Sequence, residues 1–596
     1  MKNHFYTSRL WMLWLASMAI LAVSAPTLRA QDAAAGNAVS CNEFLTPRFE
    51  IRGRQIGQED CKMIETDFTF LGRKFRRMDM GITGTIDGFA PKVGRYNHYF
   101  SANPEFNIGQ SGNKNPIFYG IGQYDMDKGN AVIVIYPLDK STWNGKEFVT
   151  AHGAGVTFDN GKGSLKVWNK NLDPANPVED LDKYEKLMLE KGYAIAKTRR
   201  STPMESGDTV VTLEDGTVLP EMNLTEQPRL IMAEAMVAWN ILEKRLGSRP
   251  TRTYWYGHSG GARPGRIVNY QPGLNVTTDG KHIIDGIIPD DAGSGQWQPV
   301  VMENGKDVLF TPDEPLPWFV TENKNFKVDP KIFSGANHKN WFVPMIEIAH
   351  MLYVNETPDD PPEFASTNFL ANKRYNAKAL REKGLWNKFR MYEIDGVSHS
   401  GGENYDDGHN EAGNIVIIDL SRLYDGFIDM LDNWVEKGIA PPPTRSNWAE
   451  LGDSDKDGVI ENGAIQMPEI ACPTGVYYIN PVGAGGGQGN TGFMPFIGKG
   501  LEPIDRRGKF ANNSDDDNNF YNFVDLNHNG IRDFTETMTE AWRRIGYLKP
   551  NEKFNRERYS VCVKQSVDKL LAEKFFKPKT AEMYNAQAKT VAFPSE

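Results

Sequence analysis

Two kinds of hydrophobic pattern alternate along this chain. Continuous apolar runs at residues 131–136 and 192–198 predict strands that are buried on both faces. Apolar residues spaced three or four positions apart over 180–191 and 225–246 predict amphipathic helices, and Gly247 follows the second helix as a stop signal. Strands that alternate with helices predict an α/β protein whose mostly parallel sheet is flanked by helices.

The same alternation continues toward the C-terminus. Segments at 252–256, 283–289 and 387–394 predict three more strands, and helical periodicity predicts a helix over 420–437. In an open parallel sheet, ligands and substrates bind beyond the carboxyl ends of the strands. The residues that follow each predicted strand are therefore the first place to look for functional groups.

One of these strands, at 252–256, runs into the sequence Gly-His-Ser-Gly-Gly at 257–261, and a helix is predicted over 263–270. A strand, a Gly-x-Ser-x-Gly turn and a helix together form the context of a nucleophile elbow, in which a strained turn exposes the serine above the sheet edge. The helix packs close to the strand end, so the first and last residues of the turn are glycine for a steric reason. Ser259 is the predicted nucleophile.

A second glycine-containing turn, His-Gly-Ala-Gly at 152–155, ends a predicted strand well before the candidate serine. In hydrolases with a nucleophile elbow, an HGGG-type turn at this place supplies backbone N–H donors to the reacting oxyanion. We therefore predict that the main chain at Gly153 and Ala154, together with Gly260 directly after the serine, forms an oxyanion hole.

A serine hydroxyl becomes a good nucleophile only when a base takes its proton. The glycine-rich stretch 395–402 follows a predicted strand and contains His399, at the position where the base of this architecture follows the last strand. His399 is the predicted base, and His409 is the reserve candidate. His258, beside the serine, is expected to line the site rather than to act as its base.

The third member of the triad is a carboxylate that orients the base and stabilises its charge, and in this architecture it lies between serine and histidine along the chain. A strand predicted to end at Val354 places Glu356 first in the following loop, with Asp359 and Asp360 close behind. Glu356 is the preferred acid, and the two aspartates remain alternatives.

These motifs resemble the α/β-hydrolase superfamily over residues of about 130–440. The wider chain is similar to a family of large exported bacterial "alpha/beta hydrolase domain" proteins. The stretches that carry this likeness are Trp143-Asn144-Gly145, the Glu356-Thr357 loop, residues 392–399 (Tyr-Glu-Ile-Asp-Gly-Val-Ser-His) and residues 465–473 (Ile-Gln-Met-Pro-Glu-Ile-Ala-Cys-Pro). The resemblance implies a serine hydrolase whose third triad member is a carboxylate, often Glu. The Ala151-His152-Gly153 turn departs from the family's usual one and is closer to the esterase type.

The beginning of the chain predicts export. Two basic residues precede an apolar run at 10–23, and small residues follow it, which is the pattern of a cleaved signal peptide over 1–30. The run is too short for a good membrane span, and no other apolar run is long enough. We therefore expect a secreted or periplasmic protein without a stable membrane span.

Charge and cysteine content fit an exported protein. The 596 residues carry a formal net charge of -10, which becomes -13 when residues 1–30, with three basic and no acidic residues, are removed. No basic stripe accompanies the aromatic residues, which argues against nucleic-acid binding. An even number of cysteines in an exported chain predicts disulfides. Of the three possible pairings, the most local joins Cys41 to Cys61 and Cys472 to Cys562.

Composition changes suggest four regions. After the signal peptide, residues 31–130 form an N-terminal extension with the first strands, and residues 131–440 form the catalytic domain. An aromatic-rich insertion at about 296–340 is either a lid over the site or ordinary packing. The proline run at 441–443 marks the start of a C-terminal region that extends to residue 596.

This C-terminal region contains two acidic loops of the calcium-binding type. Residues 525–536 match the twelve-residue EF-hand loop, with glycine at its sixth position. The predicted ligands are oxygens of Asp525, Asn527, Asn529, Ile531 (backbone), Asp533 and Glu536. Residues 453–461 begin in the same way with Asp453, Asp455 and Asp457, although Ala464 occupies the twelfth position. Structural Ca²⁺ is expected, and no organic cofactor.

The sequence as a whole favours an exported serine hydrolase that cleaves a small-molecule or polymeric carboxylic ester. An amide hydrolase or peptidase is an alternative, because the same machinery cleaves amides. A further alternative, from another functional class, is a non-catalytic, calcium-stabilised binding protein on a hydrolase scaffold.

Overall fold

A computed structural model gives the fold of most of the chain. It describes residues 39–46, 49–51, 54–86, 88, 91–95, 130–151, 156–159, 164–167, 178, 181–198, 210–213, 215, 217–219, 226–258, 261–270, 275, 281–291, 300–303, 306–309, 342–352, 369–382, 384–398, 418–479, 491–496 and 536–593.

The described residues form twenty strands and ten α-helices, and strands and helices alternate in the middle of the chain. The strands are β1 (Val39–Ser40), β2 (Phe49–Ile51), β3 (Arg54–Phe70), β4 (Arg73–Ile86), β5 (Pro91–Arg95), β6 (Asn130–Pro137), β7 (Lys146–Ala151), β8 (Val156–Asp159), β9 (Ser164–Val167), β10 (Ala194–Thr198), β11 (Val210–Leu213), β12 (Val218–Leu219), β13 (Arg252–His258), β14 (Gly286–Asp290), β15 (Val300–Glu303), β16 (Lys306–Leu309), β17 (Met345–Leu352), β18 (Phe389–Ser398), β19 (Gly475–Ile479) and β20 (Thr491–Pro495). The α-helices are α1 (Lys183–Glu190), α2 (Glu226–Leu246), α3 (Ala262–Tyr270), α4 (Phe369–Glu382), α5 (Ser421–Lys437), α6 (Ala449–Gly452), α7 (Pro468–Ala471), α8 (Met538–Arg544), α9 (Arg556–Ala572) and α10 (Pro578–Gln587). Of the predicted insertion, only the β15–β16 hairpin is within the described residues.

Eleven of these strands form one sheet. Its order is β1-β3-β4-β6-β10-β7-β13-β14-β17-β18, with β2 paired to β3. The six strands from β10 to β18 run parallel to one another, while β6 runs antiparallel to both of its neighbours. The predicted α/β fold with a mostly parallel sheet is confirmed, and the parallel strands direct their carboxyl ends to the same edge.

Helices cover both faces of this sheet. α2, α3 and α4 pack on one face, and α1, α5 and the C-terminal helices α8, α9 and α10 pack on the other. Strand β13 illustrates how burial on both faces determines the residue pattern of a strand. Tyr254 and Tyr256 belong to one core and Trp255 belongs to the opposite one. A strand buried on both faces needs apolar side chains at successive positions, which explains the continuous aromatic run.

The local signals for helix ends correspond to the observed ends. Gly247 follows α2 with a φ of +82°, and Gly438 ends α5 with a φ of +67°. These left-handed conformations favour glycine and stop the helix. Asp182 caps α1, where its side chain accepts hydrogen bonds from the backbone N–H groups of Tyr184 and Glu185. The Glu185 carboxylate in turn accepts a hydrogen bond from the backbone N–H of Asp182.

The C-terminal region completes one edge of the sheet. Isolated backbone bridges join Arg445 to Tyr392 and Ile465 to Ile394, so the edge strand β18 gains partners from beyond the proline run. Strand β18 also extends to Ser398, past the strand end predicted at 394. At the other side, β3 and β4 precede residue 131 but belong to the same sheet. The sheet is therefore continuous across both predicted region boundaries.

The four cysteines form two disulfides, in the most local of the three possible pairings. Cys41 is bonded to Cys61 with a Cα–Cα distance of 4.9 Å, and Cys472 is bonded to Cys562 with a Cα–Cα distance of 6.0 Å. The first bond ties the N-terminal segment to β3, and the second ties the end of α7 to α9. Among the helices that the structure describes, none is both long and apolar enough to cross a bilayer.

Glu147, on the central strand β7, is a carboxyl group inside the sheet. It is 0% exposed and accepts a hydrogen bond from Oγ1 of Thr253 at 3.2 Å. Burial raises the pKa of Glu147 to about 8 and outweighs the hydrogen bonding that lowers it. The folded protein therefore holds this group in its neutral form at neutral pH.

We predict that Glu147→Gln changes the pH dependence of stability. Between pH values of about 4.5 and 8, Glu147 of the folded protein keeps its proton while the unfolded chain loses it, so the wild type becomes less stable as pH rises. The variant lacks this slope, so its free energy of unfolding should rise relative to that of the wild type by roughly 1.4 kcal/mol per pH unit in that window. Urea unfolding of both proteins at several pH values measures the difference. Glu243→Gln makes the same side-chain change at an exposed position and should leave the wild-type slope. Equal slopes in all three proteins would mean that Glu147 is already ionised in the folded state.

Candidate active site

The backbone of the elbow packs directly against the end of β7. A Cβ atom at Gly257 would lie 2.2 Å from the carbonyl oxygen of Gly261, and one at Gly261 would lie 1.4 Å from the carbonyl oxygen of Ala151. Both distances are far shorter than a non-bonded contact between carbon and oxygen, so only glycine fits at either position. Nε1 of Trp255 donates to the Gly261 carbonyl at 3.2 Å. The steric reason predicted for the two glycines is confirmed, and the elbow touches the strand that leads into residues 152–155.

Four strands in the parallel part of the sheet end where the candidate groups begin in the sequence. β7 ends at Ala151, β13 at His258, β17 at Leu352 and β18 at Ser398. Because these strands are parallel, their ends meet at one edge of the sheet. The predicted triad and oxyanion residues follow these ends in the sequence, and so does the reserve histidine. All of them lie outside the described residues: Ser259, Gly260, Gly153, Ala154, Glu356, Asp359, Asp360, His399 and His409.

The last residue of β13 carries a buried imidazole. Nδ1 of His258 lies 3.0 Å from Oδ2 of Asp290, which is the last residue of β14. The hydroxyl of Tyr256 donates to the same carboxylate oxygen at 3.2 Å. His258 is only 2% exposed, so its imidazole is enclosed at the ends of β13 and β14.

The charge of Asp290 is fixed by its neighbours. Burial alone would raise the pKa of Asp290, but the charge of His258 and the contacts from His258 and His350 outweigh it and hold the pKa well below its usual range. Burial, reinforced by the Asp290 charge, raises the pKa of Tyr256 and of Tyr424 well above the usual range, so both hydroxyls stay protonated. An ionised Asp290 can only accept hydrogen bonds, so Nδ1 of His258 carries a proton.

Asp291, the next residue, makes a second set of contacts at the same strand ends. Its Oδ1 accepts a hydrogen bond from the backbone N–H of His350 at 3.0 Å and pairs with Nζ of Lys373 on α4. The two ring nitrogens of His350 lie 3.3 Å from Asp290 and 3.5 Å from Asp291. No sequence motif predicted a role for Asp291 or His350. The signal was present, since acidic residues directly after a buried parallel strand lie at the edge where function is expected.

The C-terminal region holds the end of β18. Gly396 has a φ of +68°, and a Cβ atom there would lie 2.4 Å from Cδ1 of Ile470. Three residues earlier, Glu393 accepts hydrogen bonds from Nε of Arg374 at 2.7 Å and from the backbone N–H of Asn447 at 2.9 Å. The strand that leads to His399 in the sequence is therefore fixed by residues from beyond the proline run.

The loop at 453–461 brings four carboxylates together. They are Asp453, Asp455, Asp457 and Glu461, and one ligand atom from each lies within 4.8 Å of the others. Gly458 has a φ of +93° at the position where an EF-hand loop turns sharply. Hard carboxylate oxygens at this spacing suit Ca²⁺. Glu461, at the ninth loop position, joins the three predicted aspartates.

The second predicted calcium loop is described only at its end. Asp525, Asn527, Asn529, Ile531 and Asp533 lie outside the described residues. Glu536, the twelfth residue of the loop, accepts a hydrogen bond from Nε of Arg544 at 2.7 Å.

Comparison with known families gives this arrangement its name. Residues 233–501 match the sequence model of a family described as "Alpha/beta hydrolase domain". This part of the chain matches an α/β-hydrolase domain. The matched range contains β13, β14, β17 and β18 and the loop at 453–461. The sheet of this hydrolase extends further, because β4, β6, β10 and β7 precede the matched range and belong to the same sheet.

Several solved structures to which the hydrolase is similar are esterases. Feruloyl esterase B from Aspergillus oryzae is 9% identical, with 65% of this chain and 88% of that chain covered and a TM-score of 0.27. Another esterase from Aspergillus oryzae is 11% identical, with 66% and 90% covered and a TM-score of 0.29. A glucuronoyl esterase from Solibacter usitatus is 11% identical, with 61% and 85% covered and a TM-score of 0.26. Similarity at this level does not transfer an activity. None of the curated proteins compared with the sequence matches it.

We predict that Gly261→Ala disrupts the elbow. The added methyl group would overlap the Ala151 carbonyl, which is backbone and can move only if the elbow separates from β7. Overpacking typically costs roughly 1–3 kcal/mol and occasionally more, so the yield of folded protein and the thermal midpoint should both fall. Gly265→Ala is the matched control, because its nearest atoms belong to side chains, at 3.1 Å from Trp255 and 3.3 Å from Ile287. Equal behaviour of the two variants would refute the close approach at Gly261.

Proposed function

We propose that this hydrolase is an exported serine esterase with Ser259 as nucleophile, His399 as base and Glu356 as the third triad member. The observation that carries the proposal is the topology of the parallel strands. β7, β13, β17 and β18 end at one edge of the sheet and lead, in that order, to the predicted oxyanion turn, nucleophile, acid and base. The contact of Gly261 with the end of β7 supports a short distance between the nucleophile and the oxyanion turn.

In the proposed reaction, Oγ of Ser259 attacks the carbonyl carbon of an ester while His399 takes its proton. Glu356 orients the imidazole and stabilises its positive charge. The negative oxygen of the tetrahedral intermediate accepts hydrogen bonds from the backbone N–H groups of the 152–155 turn and of Gly260. The alcohol leaves with the proton from His399, and an acyl-enzyme remains. Water, activated by the same histidine, then releases the acid and restores the serine.

An ester is proposed as the substrate because of the oxyanion turn. The His-Gly-Ala-Gly sequence at 152–155 is of the HGGG type found in lipases and esterases. Amide hydrolysis uses the same groups, and a comparison of matched ester and amide substrates separates the two activities.

Export is proposed from two features. Residues 1–30 have the pattern of a signal peptide, and the two disulfides need an oxidising compartment to form and persist. A secreted or periplasmic location satisfies both requirements.

We predict that a fluorophosphonate labels the purified protein once per chain and that Ser259→Ala abolishes the labelling. Such probes react with a serine only when a base and an oxyanion hole activate it. Intact mass gives the number of labels, and peptide mapping gives the position. No labelling of a folded, calcium-loaded protein would sink the proposal and favour a non-catalytic binding protein.

Matched variants distinguish the candidates for the base and the candidates for the acid. His399→Ala should reduce the labelling rate by about a thousandfold or more, while His409→Ala should leave it near the wild-type rate. Glu356→Gln is expected to slow labelling, whereas Asp359→Asn and Asp360→Asn are not. The reverse pattern in either set would reassign that role to the alternative residue.

Calcium binding is proposed for the loops at 453–461 and 525–536. The oxygen donor set and the turn at Gly458 support the first site, and the sequence pattern supports the second. The first loop lies between Arg445 and Ile465, whose backbones pair with β18. Calcium would stabilise the segment that holds the strand leading to the candidate base.

We predict that 10 mM Ca²⁺ raises the thermal midpoint of the EDTA-treated protein. Extracellular sites of this type bind with dissociation constants of order 0.1–1 mM, which corresponds to roughly 1.4 to 2.7 kcal/mol for each occupied site. Two double variants each remove one calcium site: Asp455→Asn/Asp457→Asn and Asp525→Asn/Asp533→Asn. Each should reduce the rise in the thermal midpoint by the contribution of the site that it lacks. Asp568→Asn, an exposed position on α9, should keep the full shift. An unchanged midpoint and no bound calcium by elemental analysis would exclude both sites.

A further inference from the structure

We propose that His258, Asp290 and His350, tied to Asp291 and Lys373, form a buried network that positions the elbow serine. The inference rests on the proposed serine hydrolysis and gives these side chains a role in it without contact with the substrate. We call these five residues the strand-end network. None of them is more than 2% exposed, and the fold brings them together from β13, β14, β17 and α4.

Asp290 is the centre of the strand-end network. Its Oδ2 contacts Nδ1 of His258 at 3.0 Å, and its Oδ1 contacts Nε2 of His350 at 3.3 Å. A carboxylate that holds a ring nitrogen fixes both the tautomer and the orientation of the imidazole. Because these residues lie on three adjacent strands, Asp290 cross-links the carboxyl ends of β13, β14 and β17.

Asp291 continues the pairing of β14 with β17 past the end of the ladder. Its backbone N–H donates to the carbonyl of Ile348 at 3.1 Å, and its own carboxylate accepts the N–H of His350 at 3.0 Å. Its φ of +42° is uncommon for a residue with a side chain. Such conformations persist where surrounding contacts enforce them, and they concentrate at functional sites. Lys373 supplies a buried cation that keeps this carboxylate in place.

The position of the network explains its proposed role. Ser259 follows His258 directly in the sequence, and β17 leads to the loop that contains Glu356. The same buried contacts therefore anchor the strand before the nucleophile and the strand before the acid. A displacement of about 1 Å between reacting groups can cost roughly a hundredfold in rate. Loss of the Asp290 charge would release both imidazoles and remove this common anchor.

The test is Asp290→Asn, which keeps the shape of the side chain but removes its charge and replaces one of its two acceptor oxygens with an N–H₂ group. We expect the rate of fluorophosphonate labelling and kcat for p-nitrophenyl acetate to fall about a hundredfold, while KM changes less than about threefold. The variant should retain the circular dichroism of the wild type. The proton signal of the His258 Nδ1–H should move upfield, because a neutral acceptor replaces the charged one. His350→Gln, which removes one of the two rings, should show a smaller loss of kcat in the same direction.

Asp79→Asn is the matched control. Asp79, on β4, is a buried carboxylate that accepts a hydrogen bond from Nε of Arg77 at 2.9 Å. Three strands, β6, β10 and β7, lie between β4 and the strand that leads into the elbow. This variant should lose stability but keep the wild-type labelling rate per folded molecule. Equal labelling rates in Asp290→Asn and the wild type would overturn the inference while leaving the proposed function intact. Failure of both network variants to fold, while Asp79→Asn folds, would also overturn it, because the network would then be required for folding. An unlabelled wild type would remove the proposed function and the inference together.

Discussion

The contact on which this active-site architecture depends is between backbones. Gly261 lies so close to the carbonyl of Ala151 that no side chain fits between them, and Gly257 meets Gly261 in the same way. The close packing fixes the start of α3 against the ends of β7 and β13. The surroundings of Gly261 consist of main-chain atoms and the indole of Trp255. The strand that leads to the candidate oxyanion turn and the strand that leads to the candidate nucleophile are thereby joined.

The rest of the sheet holds the other candidate segments in relation to this contact. Parallel strands buried on both faces form a rigid layer whose carboxyl ends share one edge. The last strand, β18, would be an open edge, but Arg445 and Ile465 pair with it, and Ile470 packs against Gly396. The C-terminal region is thus part of the support for the site. Its acidic loop lies between the two pairing residues, so stabilisation of that loop would act on β18.

Beneath the elbow, burial and charge act together. Ionised groups inside a protein are tolerated when they are paired and hydrogen-bonded. Asp290 is paired with His258, and Asp291 accepts hydrogen bonds from the backbone N–H of His350 and from Lys373. Glu147 has no cation beside it among its described contacts, and burial instead raises its pKa to about 8. The same sheet therefore contains a carboxyl group kept neutral and two carboxyl groups held by cationic or imidazole partners, and the difference lies in what each side chain contacts.

The sequence by itself determined the features that depend on neighbours along the chain. The apolar runs of β10 and β13, the ends of α2 and α5 and the glycines of the elbow follow from local sterics and burial, and the fold class follows from their alternation. Cysteine spacing alone left three pairings open, and the structure contains the most local one. Only the tertiary structure decided the antiparallel direction of β6, the pairing of Arg445 and Ile465 with β18, and the network around Asp290. Each of these joins residues that are distant in sequence, and no local pattern encodes which distant partner will fill a sheet edge or balance a buried charge.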